Sequence, residues 1–241
     1  MTDQNPPPWR GQPLSTFQHW EFSAPGAIGD PEIAPWDHDL KLPPDTKPLS
    51  PEHKKNPCEK AGKLGKPYAV VQAVDPPATE WLKQYAGREG VWRIEPHTVE
   101  DAEEPAIITL WIPNCEKKGH KKSARVQVTY KIGPPSVDPI NSLTVVTEST
   151  EQLQDGWDHV TWDLAGDCDR DGEQIDIESE GPCYIDEIVV DTICTKPEHA
   201  YFKGTRKTLG EVSLASPVRV VSRKAPKATA SKSKRVPASN S

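Results

Sequence analysis

The chain has 241 residues, enough for one sizeable β-domain with extensions. It carries 29 basic against 36 acidic residues, and 26 prolines against 15 glycines, a proline content that predicts long irregular or edge segments. No apolar run of roughly 18 residues occurs, so no membrane-spanning helix is expected.

Residues 1–5 are polar and lack the charged and apolar regions of a secretory signal. The chain is therefore expected to be cytoplasmic, or extracellular or at the cell surface if a leader is missing from it. Residues 1–67 read as an N-terminal strand and a proline-rich arm packed on the domain. Within them, residues 16–22 predict a strand with Trp20 and Phe22 on one side and Phe17 on the other. Nine prolines fall in residues 23–67, an extended arm pinned by Trp36 and Cys58 or, alternatively, a mobile linker.

The regular body spans residues 68–195. Residues 68–74 form a compact apolar strand, 80–87 fit either one helical turn or a short strand, and 90–95 place Trp92 and Ile94 together. In 106–112, Ile108, Leu110 and Ile112 share one face while Ile107, Thr109 and Trp111 share the other. The clearest alternation is in 124–132, where Ala124, Val126, Val128, Tyr130 and Ile132 face inward. Residues 143–147, 158–164 and 174–178 add further strands. A turn at 179–182 precedes a last strand at 184–193, in which Ile188, Val189 and Val190 run consecutively, as in a strand covered on both faces. Eight or nine short strands between turn clusters predict an all-β, antiparallel, jelly-roll-like or immunoglobulin-like β-sandwich. Residues 196–214 read as a linker and 215–241 as a disordered basic tail.

Between two of these strands lies Asp167-Cys168-Asp169-Arg170-Asp171-Gly172, followed six residues later by Glu178. Carboxylates at alternate positions before a glycine match a calcium loop. An EF-hand needs flanking helices, and an extended 173–178 would carry Glu178 about 20 Å from the glycine turn. The metal reading is thus a Ca²⁺ loop on a β-scaffold, with Asp167, Asp169, Asp171 and a carbonyl near Glu173 as ligands. The competing reading is a solvated acidic turn.

Five cysteines leave at least one unpaired in a monomer. Cys183 and Cys194 would sit at opposite ends of one extended strand, about 30 Å apart or more, too far to bond. A hairpin about the 179–182 turn would bring Cys168 near Cys194, predicting a Cys168–Cys194 disulfide. The alternative is five reduced thiols, with Cys58, Cys115 and Cys183 unassigned in either case. Cys115 and His120 are spaced like half a zinc site, but no second pair completes it, and the segment reads as a basic loop. The seven histidines are scattered along the chain without close pairing.

Of eight tryptophans, Trp92 and Trp162 point to the core by parity, whereas Trp111 and Trp157 fall opposite the aliphatic residues of their strands. Exposed there beside His159, Thr161, Gln127 and Arg125, they would suit sugar rings. Cover by the other sheet or by the proline-rich arm is the alternative.

The segments PPWRGQP and STFQHWEF, with CYIDEIVVDTIC after WDHVTWDL, resemble secreted bacterial jelly-roll β-sandwich proteins of the carbohydrate-binding-module-like type. The resemblance covers residues 6–22 and 68–195. It implies a non-catalytic extracellular binding or structural module, with a structural calcium and a glycan or cell-surface polymer as partner. Neither a GxSxG, an HExxH nor a phosphate-binding loop occurs. A polysaccharide-acting enzyme remains an alternative.

Residues 215–241 hold seven basic and no acidic residues, leaving the preceding 214 with a formal charge of −14, from 22 basic and 36 acidic groups. Such a tail would bind an anionic polymer or nucleic acid by counterion release, or fold back on the acidic body, or serve only for solubility.

Overall fold

A computed structural model of the protein describes residues 5–24, 28–29, 49–55, 67–72, 79–99, 102–113, 118–140, 143–168 and 172–202. All belong to a unit formed by residues 1–205, with 206–241 as a second unit. The described residues form fifteen strands and one 3₁₀ turn, Pro197–His199. In chain order the strands are β1 Ser15–Trp20, β2 Ile28–Gly29, β3 His53–Lys55, β4 Tyr68–Gln72, β5 Thr79–Tyr85, β6 Arg88–Ile94, β7 His97–Val99 and β8 Ala102–Glu104. They continue with β9 Ala106–Pro113, β10 Lys121–Ile132, β11 Ser136–Pro139, β12 Thr144–Gln152, β13 Asp158–Asp167, β14 Gly172–Ser179 and β15 Cys183–Thr195. Among the described residues no helix is long and apolar enough to cross a membrane.

The architecture is a jelly-roll-like sandwich of two sheets. The larger runs β12-β13-β10-β15-β1-β3, with the β5–β6 hairpin joined to β15 through β6; the smaller runs β11-β14-β9-β4-β2. Pairing is antiparallel except between β2 and β4, and β7–β8 form a separate ribbon. The inward parity of β10 supplies Ala124, Val126, Val128 and Tyr130 to the core. They meet Val160, Trp162 and Leu164 of β13 and Ile108, Leu110, Ile112, Ile175 and Ile177 of the facing sheet. Burying an aliphatic side chain of this kind is worth roughly 1.5–3 kcal/mol, so the cleanest alternations in the chain form the centre of the domain.

β15 is the hub. One edge pairs with β10 along nearly its whole length, while the other pairs first with β6 and then with β1. Between Tyr130↔Ile185 and Thr129↔Glu187 the register slips by one residue, leaving Asp186 as a β-bulge. The bulge explains the mixed parity of this strand: Cys183 and Ile185 face the core before it, Ile188 and Val190 after it. Where β6 gives way to β1, Gly90 (φ +73°) lies so close to Phe22 that a Cβ would stand 2.4 Å from the Phe22 carbonyl oxygen. That oxygen also accepts a hydrogen bond from Trp81 Nε1 at 2.9 Å.

Residues 80–87 are strand and turn, not helix. Ala86 (φ 47°) and Gly87 (φ 88°) are both left-handed, as a two-residue type I′ hairpin loop requires. The hairpin expected about residues 179–182 does not form. β14 pairs with β9 and β11 in the smaller sheet while β15 lies in the larger, so the turn carries the chain across the sandwich. The proline-rich arm contributes β2 and β3 to the two sheets. Trp36, Cys58 and Cys115, and the residues assigned to the tail, lie outside the described residues.

Candidate functional site

The Cys168–Cys194 disulfide is present, with a Cα separation of 6.1 Å. It arises by a different route from the expected hairpin. β10 lies between β13 and β15, and Lys122 pairs with Gly166 on one side and with Cys194 on the other. The Cys168 amide then donates to the His120 carbonyl at 3.0 Å, which carries the end of β13 past the start of β10 and within reach of Cys194. Beneath the bridge, Lys122 and Glu173 form an ion pair between the two sheets, both side chains wholly buried. Cys183 is a buried thiol whose pKa burial pushes up to about 12.

Two of the residues expected to bind calcium, Asp167 and Glu173, are described at this end. Glu173 shares inward parity with Ile175 and Ile177, and its carboxylate is turned to Lys122, so that side chain is no ligand of the acidic loop. Asp167 is exposed at the end of β13 and paired with Lys121. Asp169 and Asp171 lie outside the described residues. β14 is extended through Ser179, which keeps Glu178 away from the loop.

Trp111, Trp157 and His159 do not converge and are not exposed. Trp111 is 5% exposed and lies against Gly172, where a Cβ would meet its ring at 2.4 Å; the glycine permits the indole to close over the start of β14. Trp157 and His159 stand at the start of β13, eleven and nine residues before Cys168 of the disulfide, about 30–36 Å along the strand. His159 is buried and bonded through Nδ1 to Thr129 Oγ1 at 2.9 Å.

The polar neighbours expected to line a sugar site are also occupied. Arg125 makes a fork to Asp163, with Nε–Oδ1 2.7 Å and Nη2–Oδ2 2.9 Å, and Gln127 Oε1 accepts from the Asn5 amide at 2.7 Å. The N-terminal segment crosses this face. Its Arg10 grips Asp191 at 2.7 and 2.6 Å and stacks over Phe17, while Trp9 is buried against Tyr201 and Phe202. Burial raises the Asp191 carboxyl pKa, opposed by Arg10 and Arg125. Parity located these side chains on the outer face of the larger sheet, and the strap of residues 5–10 is what covers part of it.

Trp157 is wholly buried, but it supports a surface cluster that strand parity did not reveal. Its Nε1 donates to the Ala86 carbonyl at 3.2 Å, Arg88 lies 5.0 Å from its ring centroid, and Lys131 lies 5.7 Å away. Tyr85 meets it edge-on and stacks on Tyr184 at 3.9 Å, with the planes 6° apart. Both tyrosines are partly exposed. Arg88 bridges Asp155 and Asp186 at 2.7 and 2.6 Å. Burial works against the charged form of Asp155, but the Arg88 hydrogen bond and charge prevail and hold its pKa below the ordinary value. The cluster joins residues 85, 88, 155, 157 and 184, which only the three-dimensional pairing of β5, β6 and β15 brings together.

The histidines are not all isolated. His19 on β1 faces His53 on β3 in direct register, with ring centroids 5.4 Å apart. Glu21 lies 3.6 Å from a nitrogen of each ring, and these three residues form a group able to hold a metal ion. The sequence signal for two of these three residues is the His19-Trp20-Glu21 spacing, which puts both on one strand face. Comparison with protein-family models, with curated proteins and with solved structures finds no match to this chain.

Proposed function

We propose that the protein is a non-catalytic binding module directed at a glycan or cell-surface polymer, and that the ligand rests on the Tyr85–Tyr184 ledge. The observation that carries this reading is a partly exposed tyrosine stack on a buried Trp157 base, bordered by Arg88, Lys131, Asp155 and Asp186. Rigid aromatic rings offer apolar area at low conformational cost, and forked charged groups around them suit vicinal hydroxyls. The resemblance to carbohydrate-binding-like sandwiches, and with it an extracellular setting, belongs to the same proposal.

A glycan array followed by affinity electrophoresis tests it. Wild type should retain at least one polysaccharide class, and Tyr184→Ala or Tyr85→Ala should each weaken binding by about tenfold, the scale of one aromatic contact. Binding that neither substitution changes, or no binding at all, would remove the reading. Calcium as a stabiliser would rest on Asp167, Asp169, Asp171 and a carbonyl near Glu173, and thermal melts with EDTA and then with excess calcium address it directly.

A second reading rests on the charge segregation of the chain, with seven basic and no acidic residues in 215–241. Engagement of an anionic polymer or nucleic acid by this segment predicts a steep salt dependence, with a log–log slope no steeper than about −6 on duplex DNA. Removing residues 215–241 should then abolish binding.

A further inference from the structure

The geometry points to a transition-metal site of the zinc class on the outer face of the larger sheet, formed by His19, Glu21 and His53. Two imidazoles and a carboxylate are the donor set that Zn²⁺ and its first-row neighbours take, and one that calcium does not favour.

The spacing fits the size of the ion. A tetrahedral metal bound at about 2.0–2.1 Å holds its ligand atoms about 3.3–3.4 Å apart. Glu21 Oε1 lies 3.6 Å from His19 Nδ1 and 3.6 Å from His53 Nε2. All three donor atoms lie within 4.8 Å of one another. The two histidine donors likewise lie within that limit, and the His53 side chain, 60% exposed, has room to rotate toward a bound ion.

The surroundings prepare these ligands. Two carboxylates flank His19: Glu187 Oε1 lies 2.7 Å from its Nε2 and Glu21 Oε1 lies 3.6 Å from its Nδ1, and such a negative setting favours a cation. Glu21 is also held in place. Glu52 accepts hydrogen bonds from the Glu21 amide at 3.0 Å, the Ser23 amide at 3.1 Å and the Ser23 hydroxyl at 3.2 Å. His19 is buried while Glu21 and His53 are partly open, so the ion enters from the His53 side and keeps one position for water or an external ligand. β3 is a three-residue, fully exposed edge strand, and the metal would fasten it to β1.

Isothermal titration of the full chain, stripped with EDTA, against Zn²⁺ tests the site. One saturable equivalent is expected. His53→Ala and Glu21→Gln should each weaken it at least tenfold. His199→Ala, an exposed histidine elsewhere, should leave it unchanged. Zn²⁺ should also raise the thermal midpoint of wild type and not of His53→Ala, whose exposed position leaves folding intact by circular dichroism. The proposal is overturned if wild type takes up no Zn²⁺ equivalent, or if the equivalent it binds survives both His53→Ala and Glu21→Gln unchanged.

Discussion

Replacing both bridge cysteines, Cys168→Ala with Cys194→Ala, isolates the contribution of the disulfide from any other thiol chemistry. The bridge closes a segment of 26 residues. Chain-entropy loss in the unfolded state for a loop of that length amounts to about 3.5 kcal/mol at 25 °C. For a domain of this size each kcal/mol moves the midpoint by about 2–4 °C, so the double variant should melt about 7–14 °C lower. Because the effect resides in the unfolded chain, the denaturant m-value should rise as that chain expands. Either single substitution already breaks the link, so each should cost nearly as much as both together. Cys183 will not confuse the result, since its buried thiol is disfavoured as a thiolate. Differential scanning calorimetry with urea titration reads both quantities, and a non-reducing peptide map identifies the linked pair. A midpoint within about 2 °C of wild type, against the shift expected from loop length, would refute the reasoning.

Other substitutions probe separate parts of the domain. Lys122→Met alone should cost about 3–5 kcal/mol by stranding the Glu173 carboxylate in the core, whereas Lys122→Met with Glu173→Leu should recover most of that loss; urea midpoints decide. Gly90→Ala should destabilise by about 2–5 kcal/mol because its Cβ would strike the Phe22 carbonyl in a left-handed backbone. Gly87→Ala, equally left-handed but with open space around it, should cost only about 1–2 kcal/mol in the same unfolding assay. Burial, with a smaller push from Asp138, raises the pKa of Asp176 in the folded protein. Its contribution is therefore full below the unfolded pKa and lost as pH rises through the folded one, so Asp176→Asn should gain on wild type between pH 3 and pH 7. Thermal midpoints across that range would contradict this if the asparagine variant fell further behind as pH rose.

Strand parity revealed the parts of the fold where one physical demand dominates. Residues 124–130 and 158–164 alternate because one face meets the core and the other a polar layer, and both are strands of the larger sheet, whereas Ile132, expected inward, is left-handed at the strand end and 56% exposed. Residues 80–87 stayed ambiguous and the strand expected at 143–147 covers only the first part of β12, since β5 is mostly exposed or half-exposed and β12 is exposed along its whole length, so neither needs alternation. The Cys168–Cys194 pair was named correctly from an incorrect hairpin, because local turn residues do not say whether a chain returns within its sheet or crosses to the next. Trp111 and Trp157 show the limit of parity at a site: it identifies the face that departs from the aliphatic core, and says nothing of what covers that face. The His19–His53 pairing was hidden for a related reason. His53 belongs to a short polar strand inside a proline-rich arm, where no hydrophobic pattern records its register.

The extra residue at Asp186 has a consequence for how this domain tolerates change. An uninterrupted strand has a single phase, and shortening it by one position exchanges interior for surface along everything beyond the cut. β15 contains its own phase reset, so its first three residues answer to β6 and its later ones to β1 as two separately tuned halves. Deleting Asp186 would remove the extra residue and leave Cys183, Ile185, Ile188 and Val190 on a single inward phase, losing the bulge and the Arg88–Asp186 ion pair but not the core face. The strand thus tolerates loss of a residue at this position, where loss at any other would exchange its two faces.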